Sequence, residues 1–107
     1  MRIVCGREVA LGPGKADLLA WIAKTSSIRE AAAHMDMSYM RAWTLVKTMN
    51  ACFRQPLVIA CRGGKHHGGA ALTDTGRTVL ELYRKLETES LRACAQTWPK
   101  LHKMMKA

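Results

Sequence analysis

The chain has 107 residues, 49% of them hydrophobic and 23% charged, with a net charge of +9. That length predicts one domain around a single core. The composition argues against a disordered or membrane-spanning chain, and the positive bias points to a polyanionic partner.

In chain order, Arg2-Ile-Val-Cys5 and Glu8-Val-Ala-Leu11 are β-prone pieces around Gly6-Arg7, suited to a small hairpin. Met1-Arg-Ile-Val-Cys5 lacks the character of a secretory signal, so a cytoplasmic location is expected. Gly12-Pro13-Gly14 reads as a break before a first helix, Lys15 to about Lys24, with Leu18, Leu19 and Ile22 inward and Trp21 beside them. Ser27-Ile-Arg-Glu30 fits a capping box that opens a second helix, Ile28–Met35. The consecutive alanines Ala31-Ala32-Ala33 permit another helix to cross closely, and Asp36-Met37 supplies a turn whose methionine can plug the corner.

Ser38 can cap a third helix, running to Phe53. At 100° per residue, Ala42, Leu45, Val46, Met49 and Phe53 gather in one inward stripe. Met40, Thr44 and Lys47 lie opposite. Arg41 and Thr48 form one flank; Tyr39, Trp43 and Asn50 form the other. From Met37 to Thr73 the sequence holds no Asp or Glu, while Arg41, Lys47, Arg54, Arg62 and Lys65 fall inside. Two short helices with a tight turn, the second basic and acid-free outside, match a helix-turn-helix whose second helix reads a DNA major groove. An ordinary amphipathic helix with a solvated back is the bland alternative.

After Pro56, Leu57-Val-Ile-Ala-Cys61 is β-branched, Arg62-Gly-Gly-Lys-His-His-Gly-Gly69 is glycine-rich, and Ala70-Ala-Leu-Thr73 resumes a strand. Strand, tip and strand predict the β-hairpin wing of a winged helix. Arg62, Gly63, Gly64, Lys65, His66 and His67 are its candidate DNA contacts, the glycines allowing close approach to phosphates. A nucleotide-binding loop needs Ser or Thr after Gly64-Lys65 and finds His66. The four cysteines include no C-x-x-C pair; they read as reduced, partly buried thiols, and no metal site is expected.

Thr73-Asp-Thr-Gly76 opens a long helix to roughly Trp98, ahead of Pro99. Val79, Leu82, Tyr83 and Leu86 form an apolar stripe that Leu91 and Trp98 continue. The helix extends past what a small winged domain covers, so these six residues are the candidate dimer interface, with packing back on the chain's own domain as the alternative. The predicted fold class is therefore mainly α with a small β part: a winged helix-turn-helix over residues 1–98, its dimerisation helix about 74–98, then a basic tail, 99–107.

The runs Ser26-Ser-Ile-Arg-Glu-Ala-Ala31, Met37-Ser-Tyr-Met-Arg-Ala-Trp43, Met49-Asn50, Pro56-Leu-Val58, Gly63-Gly-Lys-His-His-Gly-Gly-Ala70 and Leu72-Thr73-x-x-Gly76 resemble the DNA-binding domain of ModE-type molybdate-responsive regulators. They also share the broader outline of LysR-type winged helices. The resemblance covers about residues 1–95. It implies a homodimeric, sequence-specific double-stranded DNA-binding protein, a transcriptional regulator and not an enzyme. Ser38, Tyr39, Met40, Arg41, Thr44 and Lys47 would serve as the reading face. Met40 stands where the family often has lysine, and His66-His67 replaces a glycine pair. The family's molybdate-binding domains have no counterpart here, so no cofactor is expected. Two other function classes stay open: a protein-interaction module, and a metal- or redox-responsive regulator using the cysteines and wing histidines.

Overall fold

The computed structural model describes residues 1–61 and 69–106. Its elements are β1 (Ile3–Cys5), β2 (Glu8–Leu11), α1 (Pro13–Thr25), α2 (Ile28–His34), α3 (Tyr39–Cys52), β3 (Val58–Cys61), β4 (Gly69–Leu72), α4 (Asp74–Ala93) and α5 (Trp98–His102). The predicted winged helix-turn-helix is the observed architecture, with two separate two-stranded antiparallel sheets.

Each helix begins where a side chain or a proline favours it. Gly12 is the N-cap of α1 and Pro13 its first residue, so the Gly-Pro-Gly run starts the helix rather than standing apart from it. Proline fits there because its missing N–H would have no intrahelical acceptor. Ser27 Oγ accepts from Glu30 N–H at 3.1 Å, and Ser38 Oγ accepts from Arg41 N–H at 3.1 Å. Only that half of the expected capping box at α2 is formed; no return bond from Glu30 occurs among the described residues.

The turn between α2 and α3 is a Schellman closure. Met37 N–H donates to Ala32 O at 3.0 Å and Asp36 N–H to Ala33 O at 3.2 Å, satisfying carbonyls the helix end would leave open. Asp36 occupies the left-handed region at φ 53°, a conformation short polar side chains tolerate better than most. Met37 packs against the core, as the sequence suggests.

The core joins Leu18, Leu19 and Ile22 of α1, Ile28, Ala31 and Ala32 of α2, and Ala42, Val46 and Met49 of α3. Ala31, Ala32 and Ala42 are at most 2% exposed, so methyl groups are all that separates these helix backbones. Below them, β3 and β4 pair in register, Val58 opposite Leu72 and Cys61 opposite Gly69. Ala70 N–H donates to Ser26 O at 3.0 Å, and Ser27 bridges to Gly69, so the α1–α2 junction supplies the sheet's third edge.

Asn50 fastens α3 to this sheet. Its Oδ1 accepts from Leu57 N–H at 2.8 Å and Val58 N–H at 3.2 Å, and its Nδ2 donates to Val58 O at 3.1 Å. The carboxamide thus replaces a strand for the residues leading into β3. Asn50→Ala leaves those backbone groups unpartnered, and a loss of about 2 kcal/mol is expected. Urea unfolding checks this: the midpoint should fall while the slope stays constant.

Helix α4 differs from expectation at its end. It stops at Ala93; residues 94–97 form turns, and Trp98–His102 is the separate α5 with Pro99 in its first turn. Past Ser90 every described residue is exposed, so no packing holds a continuous helix to Trp98. The radius of gyration, 16.1 Å, exceeds the roughly 13 Å of a compact domain this long, and the longest extent is 54 Å. Cys5, Cys61 and Cys94 are exposed and only Cys52 is half-buried, which corrects the expectation of partly buried thiols. Burial first, and then a side-chain hydrogen bond with Cys5, push the Cys52 thiol pKa up.

Candidate nucleic-acid interface

Helix α3 presents its predicted inward stripe to the core: Ala42, Val46 and Met49 are buried, with Leu45 and Phe53 packed against them. Its opposite face stands free. Tyr39, Met40, Arg41, Thr44 and Lys47 are all exposed, Met40 at 68%. The structure brings these five together on one surface, with Ser38 at its head as the cap.

The chemistry of that surface is graded along the helix. At the N-terminal end Arg41 has no hydrogen-bond or ion-pair partner for its guanidinium among the described residues. Thr44 Oγ1 donates to Met40 O at 2.9 Å. With its hydroxyl proton turned into the helix, Thr44 offers outward a methyl and an acceptor, a surface suited to a thymine methyl or an amino group. Thr48 repeats the pattern, donating to Thr44 O at 3.1 Å. Lys47 lies over the Trp43 ring, 5.6 Å from its centroid. That contact holds the ammonium itself near the ring face, on a side chain that stays exposed overall.

The flank bearing Tyr39, Trp43 and Asn50 is less free than the sequence suggests. Trp43 packs against the core and Asn50 is committed to β3. Tyr39 is 36% exposed, and the Arg29 guanidinium of α2 sits 4.6 Å from its ring centroid. Arg29 was not singled out by sequence, because its own helix gives no sign of a neighbour ten residues on. Trp21, beside the inward residues of α1, is half-buried against the core and stacks on His34 with ring centroids 4.0 Å apart.

The six candidate wing residues, Arg62, Gly63, Gly64, Lys65, His66 and His67, lie outside the described residues. The strands that flank them, β3 and β4, are in place.

The candidate dimer residues do not form one stripe. Tyr83 is 1% exposed and its hydroxyl donates to Met1 O at 2.5 Å, so it belongs to this chain's own core. Burial raises its phenol pKa, with Glu87 adding to the effect. Val79 also packs against the core. Leu91, at 100° per residue, falls roughly opposite Leu82 around the helix, and Trp98 is beyond the break in α5. What remains is Leu82 at 56% and Leu86 at 41% exposure, adjacent on the outer side of α4 with Val79 at their edge. The inner side is held by Tyr83 and by Arg84, which donates to Asp17 at 2.7 Å and Glu87 at 3.0 Å.

No family model matches the chain. Among curated proteins it is 41% identical over 80 residues to the molybdenum transport protein ModE of Azotobacter vinelandii, covering 75% of this chain and 30% of that protein. It is 38% identical over 77 residues to the transcriptional regulator ModE of Haemophilus influenzae, covering 72% and 30%. Against the molybdenum-pterin-binding protein MopB of Rhodobacter capsulatus the identity is 39% over 90 residues, covering 78% and 33%. The chain thus spans about a third of the length of these relatives. Among solved structures, the CbnR DNA-binding domain in its DNA complex superposes with TM-score 0.64 at 16% identity, covering 85% of this chain and 99% of that one. The full-length LysR-type regulator LysG of Corynebacterium glutamicum gives 0.58 at 20% identity, covering 87% and 30%. The chain has the fold of the LysR-type DNA-binding domains and is a homologue of ModE-type regulators over most of its own length.

Proposed function

We propose that the chain is a double-stranded DNA-binding module that acts as a homodimer in transcriptional regulation, with targets among molybdenum-related genes. The observation that carries this reading is the outward face of α3: exposed, acid-free, and presenting Arg41, Thr44 and Lys47 together. Such a face can place donors, an acceptor and a methyl against base edges while its charge meets phosphates. The similarity to a molybdenum transport protein ModE and a transcriptional regulator ModE supports the regulatory role and the link to molybdenum. Reading DNA this way needs no cofactor. No helix among the described residues is long and apolar enough to cross a membrane, and a cytoplasmic location suits a DNA-bound regulator.

In this reading Arg41 makes the direct base contact, a guanidinium bonding a guanine edge at two points. The wing residues Arg62, Lys65, His66 and His67 hold the adjacent backbone. Arg41→Ala should then lose about 1–3 kcal/mol on a preferred duplex, selected from a random pool, and little on random DNA. Fluorescence anisotropy on both duplexes decides it. An equal loss on the two would make Arg41 a phosphate contact. A chain that retards no duplex at low salt would instead be a protein-interaction module.

A further inference from the structure

The guanidinium of Arg29 is an exposed cation placed where its own helix does not favour it. Arg29 lies in the first turn of α2, at the end where unpaired N–H groups already carry partial positive charge. No carboxylate pairs with it among the described residues. It lies over the Tyr39 ring, 4.6 Å from the centroid. The ring attracts the cation, while the guanidinium N–H donors have no hydrogen-bond partner among the described residues. Tyr39 is the first residue of α3, next to Met40 and Arg41. A duplex that receives the N-terminal part of α3 in its major groove must pass its backbone close beside the start of that helix.

We propose that Arg29, held against the Tyr39 ring, grips a backbone phosphate at the groove wall and fixes the orientation of Tyr39, extending the DNA footprint from α3 onto α2. This rests on the DNA-binding reading above and adds a contact on a second helix. The ligand is a phosphodiester, so Arg29 contributes affinity and register without sequence preference. The ring contact restrains a long side chain before DNA arrives, which lowers the ordering cost of the phosphate contact.

The test uses the whole chain and fluorescence anisotropy on a preferred and a random duplex between 50 and 200 mM salt. Arg29→Ala should weaken both duplexes by the same factor and reduce the salt slope by about 0.9, so that its deficit shrinks about 3-fold across that range. Arg29→Lys should recover the slope. In a Tyr39→Ala background the cost of Arg29→Ala should be smaller by about 2–5-fold, the part carried by the ring contact. A salt slope unchanged by Arg29→Ala, in a wild-type chain that does bind DNA, overturns the phosphate contact and leaves the DNA reading standing. An identical cost with and without Tyr39 overturns the positioning role. A wild-type chain that binds neither duplex defeats the DNA reading itself. Matching thermal melts of all variants keep these outcomes separate from misfolding.

Discussion

Gly76→Ala is expected to destabilise the domain by about 3 kcal/mol, near the top of the range for overpacking a core. The reason is space, not backbone freedom. A Cβ on Gly76 would stand 2.1 Å from Leu57 O and 3.0 Å from Leu57 C. Those are backbone atoms and cannot swing aside as a side-chain tip could. Leu57 is also fixed from three directions. Its side chain is fully buried, its N–H is held by Asn50, and its carbonyl accepts from Thr73 N–H at 2.9 Å. Thr73 Oγ1 in turn donates to Pro56 O at 2.7 Å and accepts from Gly76 N–H at 2.9 Å. The first turn of α4 is therefore set directly on the residues entering β3, and the Leu72-Thr73-x-x-Gly76 pattern is the sequence trace of that junction. Thermal unfolding followed by circular dichroism should show a midpoint lower by roughly 12–24 °C, at about 4–8 °C per kcal/mol for a domain near this size. A midpoint within a few degrees of wild type would mean that Leu57 moves freely, contrary to the burial and the two hydrogen bonds that hold it.

That junction also shows which parts of the fold the sequence made legible. The helix-turn-helix was readable because its signals are local. Ser27 and Ser38 act within three residues of themselves, and the inward stripe of α3 needs only helical spacing. The exposed face of α3 that bears Met40, Thr44 and Lys47 followed from the same stripe, as the side opposite it. Tertiary choices were not readable in this way. Pro13 and Pro99 look like breaks in one dimension, yet both stand in the first turn of a helix. Asn50 and Trp43 share a flank with Tyr39 by angle, but β3 and the core claim the first two. Tyr83 sits among leucines on α4, and only its hydroxyl's approach to Met1 O reveals that it faces home. Arg29 and Tyr39 meet across a turn, which no periodicity on either helix encodes.

The separation of Tyr83 from Leu82 and Leu86 makes the dimer reading sharply testable. Because Tyr83 and Arg84 anchor α4 to its own domain, the outer seam can be altered without touching that anchor. Leu82→Glu combined with Leu86→Glu places two carboxylates on exposed positions, which cost a monomer little. Across a two-fold seam each would face like charge, with apolar burial lost as well. The double variant should keep the wild-type thermal midpoint and elute as a monomer. On DNA the effect should be larger than that of any single contact. A dimer binds its second half-site as an intramolecular event, which raises apparent affinity by about 10²–10⁴-fold over one half-site. The variant should lose most of that factor on an inverted repeat spaced by one turn, roughly 34–36 Å. On a single half-site it should bind as the wild-type monomer does. This pairing of outcomes is what separates loss of the seam from damage to the reading helix, since damage to α3 would weaken the half-site as well. A variant that still elutes as a dimer and holds the repeat would place the interface elsewhere. The exposed Leu91 and the exposed apolar residues of α5 would then be the surfaces to alter next.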